Sequence, residues 1–124
     1  MSDIFGIGTD LVEISRMKSM KNREAFLERY YTKAEIDYIC QKKNMADQTM
    51  AGIYAAKEAA AKAMGTGIVC SLKEIEVLHR ENGMPYYQFS GKAAQLSAGR
   101  KAHLSVSHDG GMAVAFCVIE NREE

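Results

Sequence analysis

At 124 residues the chain has room for one domain, residues 1–124, and none for a separate substrate module. Apolar residues make up 47% and charged residues 26%, the balance of an ordinary soluble globular protein with one core. Sixteen basic residues cancel sixteen acidic ones, so no net field steers the chain toward nucleic acid or a membrane surface.

Residues 4 to 12, IFGIGTDLV, read as a first strand, with β-branched and aromatic residues and glycines that permit close backbone approach. From Glu13 to Tyr31 the pattern turns helical, with a break near Asn22 and Ile14, Met17, Phe26, Leu27 and Tyr30 facing inward. Thr32 followed by Glu35 is a capping-box signature that opens a short helix through about Gln41. Residues 46 to 64 form the strongest helix. Seven alanines fall between Ala51 and Ala63, and Gly65 sits where a left-handed C-terminal residue is wanted. Small side chains on every side suit a central, closely packed helix.

The second half turns to strands. Glu74 to Arg80 partly alternates, Glu81-Asn82-Gly83 is a hairpin turn, and Met84 to Phe89 returns with Pro85 near its start. Ser90 is placed to cap a short helix through about Ala98. A last hairpin runs from Ala102 to Ser107, turns at Asp109-Gly110-Gly111, and returns from Met112 to Ile119. The expected class is α+β, an antiparallel sheet wrapped around the long helix.

Cys40, Cys70 and Cys117 are odd in number and widely spaced, without a C-x-x-C pair. They read as small buried residues of a reducing compartment rather than metal or redox ligands. The opening MSDIFGIGTD lacks the basic segment and long apolar run of a signal peptide, and no window is apolar enough to cross a bilayer. The expected location is the cytoplasm.

Glu58 and Lys62 stand four apart on one helix face, with Tyr54 one turn before. The plain reading is a surface ion pair, but the surrounding alanines make the helix look buried, and buried charges need a partner or a metal. Asp10 ends the first strand, as a turn residue, a helix cap, or one carboxylate of a metal site whose second is Glu58. Magnesium suits such a pair because it takes only one or two protein carboxylates, with water and substrate phosphate completing its shell. His108, in SVSHDGG, is either a turn residue or a donor to phosphate. His79 and His103 read as structural. Gly65-Thr66-Gly67 either ends the helix or offers backbone N–H groups to a phosphate. Arg16, Lys18, Lys21 and Arg23 make a positive stretch with Met17 and Met20 interleaved, either a solvated face or a dock for an acidic amphipathic helix.

Four blocks occur in order: GIGTDLVEISR (6 to 16), YAAKEAAAKAMGTG (54 to 67), ENGMPYY (81 to 87) and HLSVSHDGGMAVAFCVIE (103 to 120). Together they resemble the holo-acyl-carrier-protein synthase family, over nearly the whole chain. The resemblance implies the 4'-phosphopantetheinyl transferase fold and transfer of 4'-phosphopantetheine from coenzyme A to a serine of apo acyl carrier protein, in fatty acid biosynthesis. It implies a homotrimer with active sites between subunits. It implies Mg2+ on Asp10 and Glu58, Lys62 near the coenzyme A phosphates as a third catalytic residue, and His108 on the phosphate side. Gly65, Gly67 and Pro85 fall where coenzyme A binds, and Arg16, with Lys21 and Arg23, faces the carrier protein. Either a site carboxylate or a metal-held water would take the serine proton.

Two positions depart from the family pattern. Ile53 and Met84 stand where such enzymes often carry Arg and Lys, removing two cations that could meet a phosphate. Two rival functions have distinct signatures. A metal-dependent phosphohydrolase would cleave coenzyme A without a carrier, and a non-catalytic helix-binding module would ignore both magnesium and coenzyme A.

Overall fold

A computed structural model of the chain describes residues 3–65 and 70–123. Its strands and helices are β1 (Ile4–Glu13), α1 (Ile14–Ser19), α2 (Arg23–Tyr30), α3 (Lys33–Gln41), α4 (Ala46–Ala63), β2 (Ile75–His79), β3 (Pro85–Phe89), α5 (Gly91–Ser97), β4 (Ala102–Asp109) and β5 (Met112–Glu120). The architecture is α+β, as the sequence implied. One antiparallel sheet has the order β1-β5-β4, and β2 and β3 pair as a separate hairpin.

The main sheet lies on α4, and glycine sets how closely. Side chains alternate along β1, so Gly6, Gly8, Asp10 and Val12 share the inner face. A Cβ at Gly8 would sit 1.8 Å from the Ala59 carbonyl oxygen, and one at Gly6 would sit 1.8 Å from that of Ala63. No larger residue fits at either position. The alanines of α4 do the same from the other side: Ala51, Ala55, Ala56, Ala59, Ala60, Ala61 and Ala63 are all buried. Against them pack Ala113, Ala115, Cys117 and Ile119 of β5. Close backbone approach here replaces side-chain bulk as the source of dispersion contact.

The helix boundaries follow from local chemistry. The Asn22 side chain accepts from Ala25 N at the start of α2. Thr32 and Glu35 form the expected reciprocal box at the start of α3. Gly65 takes φ +69° just beyond the end of α4, as a left-handed terminator should.

Two expectations need correction. Ser90 precedes α5 but its side chain caps nothing. The Glu74 carboxylate instead accepts from Lys92 N at 3.0 Å and Ala93 N at 3.3 Å, a charged acceptor from the turn that leads into β2 doing what the hydroxyl was expected to do. Cys70 and Cys117 are buried, but Cys40 is exposed on the outer side of α3. Among the described residues no helix is long and apolar enough to cross a membrane.

The outer face of the main sheet is unusually apolar. Ile7, Leu11 and Phe116 are 58%, 60% and 47% exposed. Thr9 pairs with Phe116 and Leu11 with Val114 in the β1–β5 register, so these side chains stand together on one face.

Candidate active site

The close fit of β1 on α4 decides where Asp10 goes. Two residues beyond Gly8 on the same face, it lies over the last turns of the helix. There Lys62 Nζ is 3.3 Å from Asp10 Oδ1 and donates to the Thr9 carbonyl oxygen at 3.0 Å. Lys62 thus pairs with Asp10 rather than with Glu58, which sits one turn back on its own helix. The surface pair read from the spacing is replaced by a contact between strand and helix.

Glu58 is half-buried, and no cation among the described residues lies within ion-pair distance of it. Its neighbour is Tyr54, whose hydroxyl is pushed up to about 12 by burial, then by the charge of Glu58 and a hydrogen bond to it, with Asp10 adding to the effect. Tyr54 therefore stays protonated, a hydrogen-bond donor beside two carboxylates. Its ring is held by Phe26, centroid to centroid 5.4 Å, and by Tyr30 at 6.1 Å. Glu58 and Tyr54 line a cavity of about 410 Å³ together with Arg29, Cys70, Ser71 and Leu72.

Asp10 and Glu58 offer two hard oxygen ligand groups, and among the described residues no cluster of three or more metal-ligating side chains occurs. That donor set fits a small hard cation that keeps most of its shell as water and substrate oxygen. It falls short of the three or four side-chain ligands that hold zinc.

Pro85 and His108 come together elsewhere. They line a cleft of about 320 Å³ with Gly52, Ile53, His79 and Lys42. His108 is on the inner face of β4, opposite Ala113, and Gly52 makes room for its ring: a Cβ there would meet Nε2 at 3.0 Å. Burial holds the imidazole below its usual range, with the backbone of Gln48 acting the other way. Burial thus favours the neutral ring in the free protein, whereas a phosphate drawn against it would favour the charged form. This cleft opens on the first half of α4 and Glu58 stands on the second, about 9 Å along the axis from Gly52.

The remaining candidates divide. Gly65 is described and exposed, whereas Gly67 lies outside the described residues. Arg16 and Lys21 are exposed beside α1. Arg23 is engaged within the fold: its guanidinium donates to the Met17 carbonyl oxygen at 2.9 Å and pairs with Asp47 at 2.7 Å. His79 stacks on Tyr38, centroids 4.0 Å apart, and His103 pairs with Glu120.

One charged pair escaped the sequence reading. Lys57 and Glu35, both wholly buried, meet at 2.8 Å between α4 and α3. The only advance signal was a lysine set among buried alanines.

The family model of the 4'-phosphopantetheinyl transferase superfamily matches residues 6–117. The chain belongs to that superfamily. Among curated relatives of this transferase, the holo-[acyl-carrier-protein] synthase of Caldicellulosiruptor saccharolyticus is 43% identical over 98% of this chain and 99% of its own. That of Koribacter versatilis is 45% identical, covering 95% and 99%. Among solved structures, the Bacillus anthracis synthase in complex with CoA (3',5'-ADP) superposes with a TM-score of 0.81 at 36% identity, covering 96% and 98%. The Helicobacter pylori synthase in complex with coenzyme A gives 0.79 at 31%, covering 91% and 98%. The fold of this transferase is therefore that of the holo-acyl-carrier-protein synthases.

Proposed function

We propose that this protein transfers 4'-phosphopantetheine from coenzyme A to a serine of apo acyl carrier protein, releasing 3',5'-adenosine bisphosphate. The observation that carries the reading is the junction of β1 and α4, where Lys62 bridges to Asp10 and, among the described residues, no cation stands within ion-pair distance of Glu58. The near full-length likeness to holo-[acyl-carrier-protein] synthases supports the same reading.

Asp10 and Glu58 are the residues that would hold Mg2+. When bound, the ion neutralises charge on the coenzyme A pyrophosphate, the main electrostatic demand of phosphoryl transfer. Lys62 has two partners, the Thr9 carbonyl and the Asp10 carboxylate, and keeps a third N–H for a phosphate oxygen. Tyr54 orients the Glu58 carboxylate. The serine oxygen bonds to the phosphorus that carries the pantetheine arm as its proton passes to a site carboxylate or to water, and the bond from that phosphorus to the bridging oxygen breaks. The negative charge departs with the adenosine bisphosphate, where Lys62 steadies it.

His108, Pro85 and the Gly65–Gly67 loop are assigned to coenzyme A, with His108 donating to a phosphate. Arg16 and Lys21 are assigned to the carrier protein, and Arg23 braces the turn between α1 and α2 behind them. The assembly proposed is a homotrimer, working in the cytoplasm. The separation of the His108 cleft from the carboxylates on one chain supports sites completed by a neighbour. The exposed Ile7, Leu11 and Phe116 supply an apolar face for that contact.

The test is intact-mass spectrometry of apo acyl carrier protein after incubation with this protein, coenzyme A and magnesium. The expected result is a gain of one phosphopantetheine that disappears on chelation and with Asp10→Ala or Glu58→Ala. Retained transfer by both variants, or coenzyme A cleavage without a carrier, overturns it.

A further inference from the structure

Lys57 and Glu35 take no part in the chemistry above, yet their geometry is more demanding than burial alone requires. Lys57 Nζ lies 2.8 Å from Glu35 Oε1 and donates to the carbonyl oxygens of Leu72 and Ile75, each at 2.8 Å. All three ammonium hydrogens are thus directed. Glu35 Oε1 also accepts from Thr32 N, and Oε2 accepts from Val77 N, both at 2.7 Å. An isolated buried ion pair is weak evidence for stability, since well-packed apolar residues often do as well.

What the pair connects is more telling. Leu72 lines the same cavity as Glu58. Residues 72 to 75 are also where the chain comes back onto α4 after the Gly65 terminator. Lys57 and Glu58 are consecutive, so a turn or slide of α4 that takes Lys57 off the two carbonyls carries Glu58 with it.

We infer that Lys57, fixed by Glu35, is a positioning residue that sets how the Glu58 carboxylate sits relative to the Cys70–Leu72 segment lining the same cavity. The placement so fixed governs how coenzyme A phosphate is seated, so the inference rests on the reading of Glu58 given above. Carrier docking, assigned to Arg16 on α1 and Lys21 in the turn after it, lies outside its reach.

The test uses the full chain with Lys57→Met combined with Glu35→Gln, which removes both charges and keeps an oxygen for the α3 cap. Lys57→Gln combined with Glu35→Gln, which keeps a donor and leaves no buried charge, serves as the milder partner. Folding is checked by circular dichroism, and wild type is assayed in parallel for phosphopantetheine transfer. The expected outcome is a folded double variant whose KM for coenzyme A rises at least about fivefold, with KM for the carrier within about twofold of wild type. The milder variant should fall between. A merely structural role would lower the active fraction, and so apparent kcat, while leaving both KM values alone; that result overturns the inference. Failure of both variants to fold at any temperature also overturns it, because the pair would then support the whole fold. Absence of transfer by wild type would instead sink the functional reading.

Discussion

Helix α4 carries two lysine–carboxylate pairs five residues apart, and they are built for opposite ends. Lys57–Glu35 is wholly dry, whereas the Lys62 and Asp10 side chains are 56% and 19% exposed. The dry pair is surrounded by backbone groups that take every remaining hydrogen and lone pair in use, so nothing is left over for a ligand. The wet pair is incomplete, with a lysine hydrogen and carboxylate oxygens turned toward solvent. A charge that is fully satisfied holds structure; a charge left short of partners is ready for substrate. Burial pushes Lys57 down from its usual range against the pull of Glu35, while the wet pair stays in reach of water and salt.

Removing one member of each pair should separate these roles. Lys57→Ala leaves Glu35 charged and two carbonyls unpaired in a dry site, and is expected to cost about 3–5 kcal/mol of stability. Chemical denaturation would read this as a large drop in midpoint. A loss under about 1 kcal/mol would show that water reaches the site and that the contrast is false.

Lys62→Ala should do the reverse. Stability changes by less than about 1 kcal/mol, as for other exposed pairs. Transfer to the carrier falls by about 100-fold, the usual effect of deleting one preorganised charge from such a site. Stability loss with normal turnover would turn the assignment around.

These two lysines also mark how far sequence reasoning reached. The capping box, the Gly65 terminator and the two hairpins were legible because each is settled within a few residues. Asp10, Glu58 and Lys62 were legible as candidates, since helix spacing and strand ends are local facts. Their actual pairing was not, because it depends on how closely β1 can lie on α4, a matter of Gly8 meeting Ala59 across fifty residues of chain. Lys57 was missed for the same reason: its partner lies on another helix, and Glu35 already had a local role at the cap. Ser90 shows the limit from the other side. A hydroxyl in the right place was displaced by Glu74, a stronger acceptor brought in by the turn that leads into β2.

Tyr54→Phe sharpens the contrast at finer scale. The ring contacts with Phe26 and Tyr30 remain, and only the hydroxyl at Glu58 goes. Turnover should fall about three- to tenfold with little change in melting temperature, matching one hydrogen bond to a charged group at a half-buried site. No change in turnover would leave Glu58 oriented by the helix alone.

The smallest effect concerns pH, and it extends the comparison to groups that are partly dry. His79 and His108 are both held below the usual histidine range, chiefly by burial, with Lys42 adding to the effect at His79. The folded state therefore binds protons less readily than the unfolded chain, whose imidazoles titrate near 6.5. Stability from these groups is fully present above that value and is lost as pH falls from about 6.5 through the folded pKa. Each ring keeps some exposure, so solvent screening keeps the loss small. Melting temperatures at pH 7.5 and 5.5 should differ by a few degrees, and His79→Phe, which preserves a ring against Tyr38, should narrow the gap. A gap that His79→Phe leaves unchanged would place the acid sensitivity at His108, inside the proposed coenzyme A cleft; a gap that vanishes would place it at the Tyr38 stack.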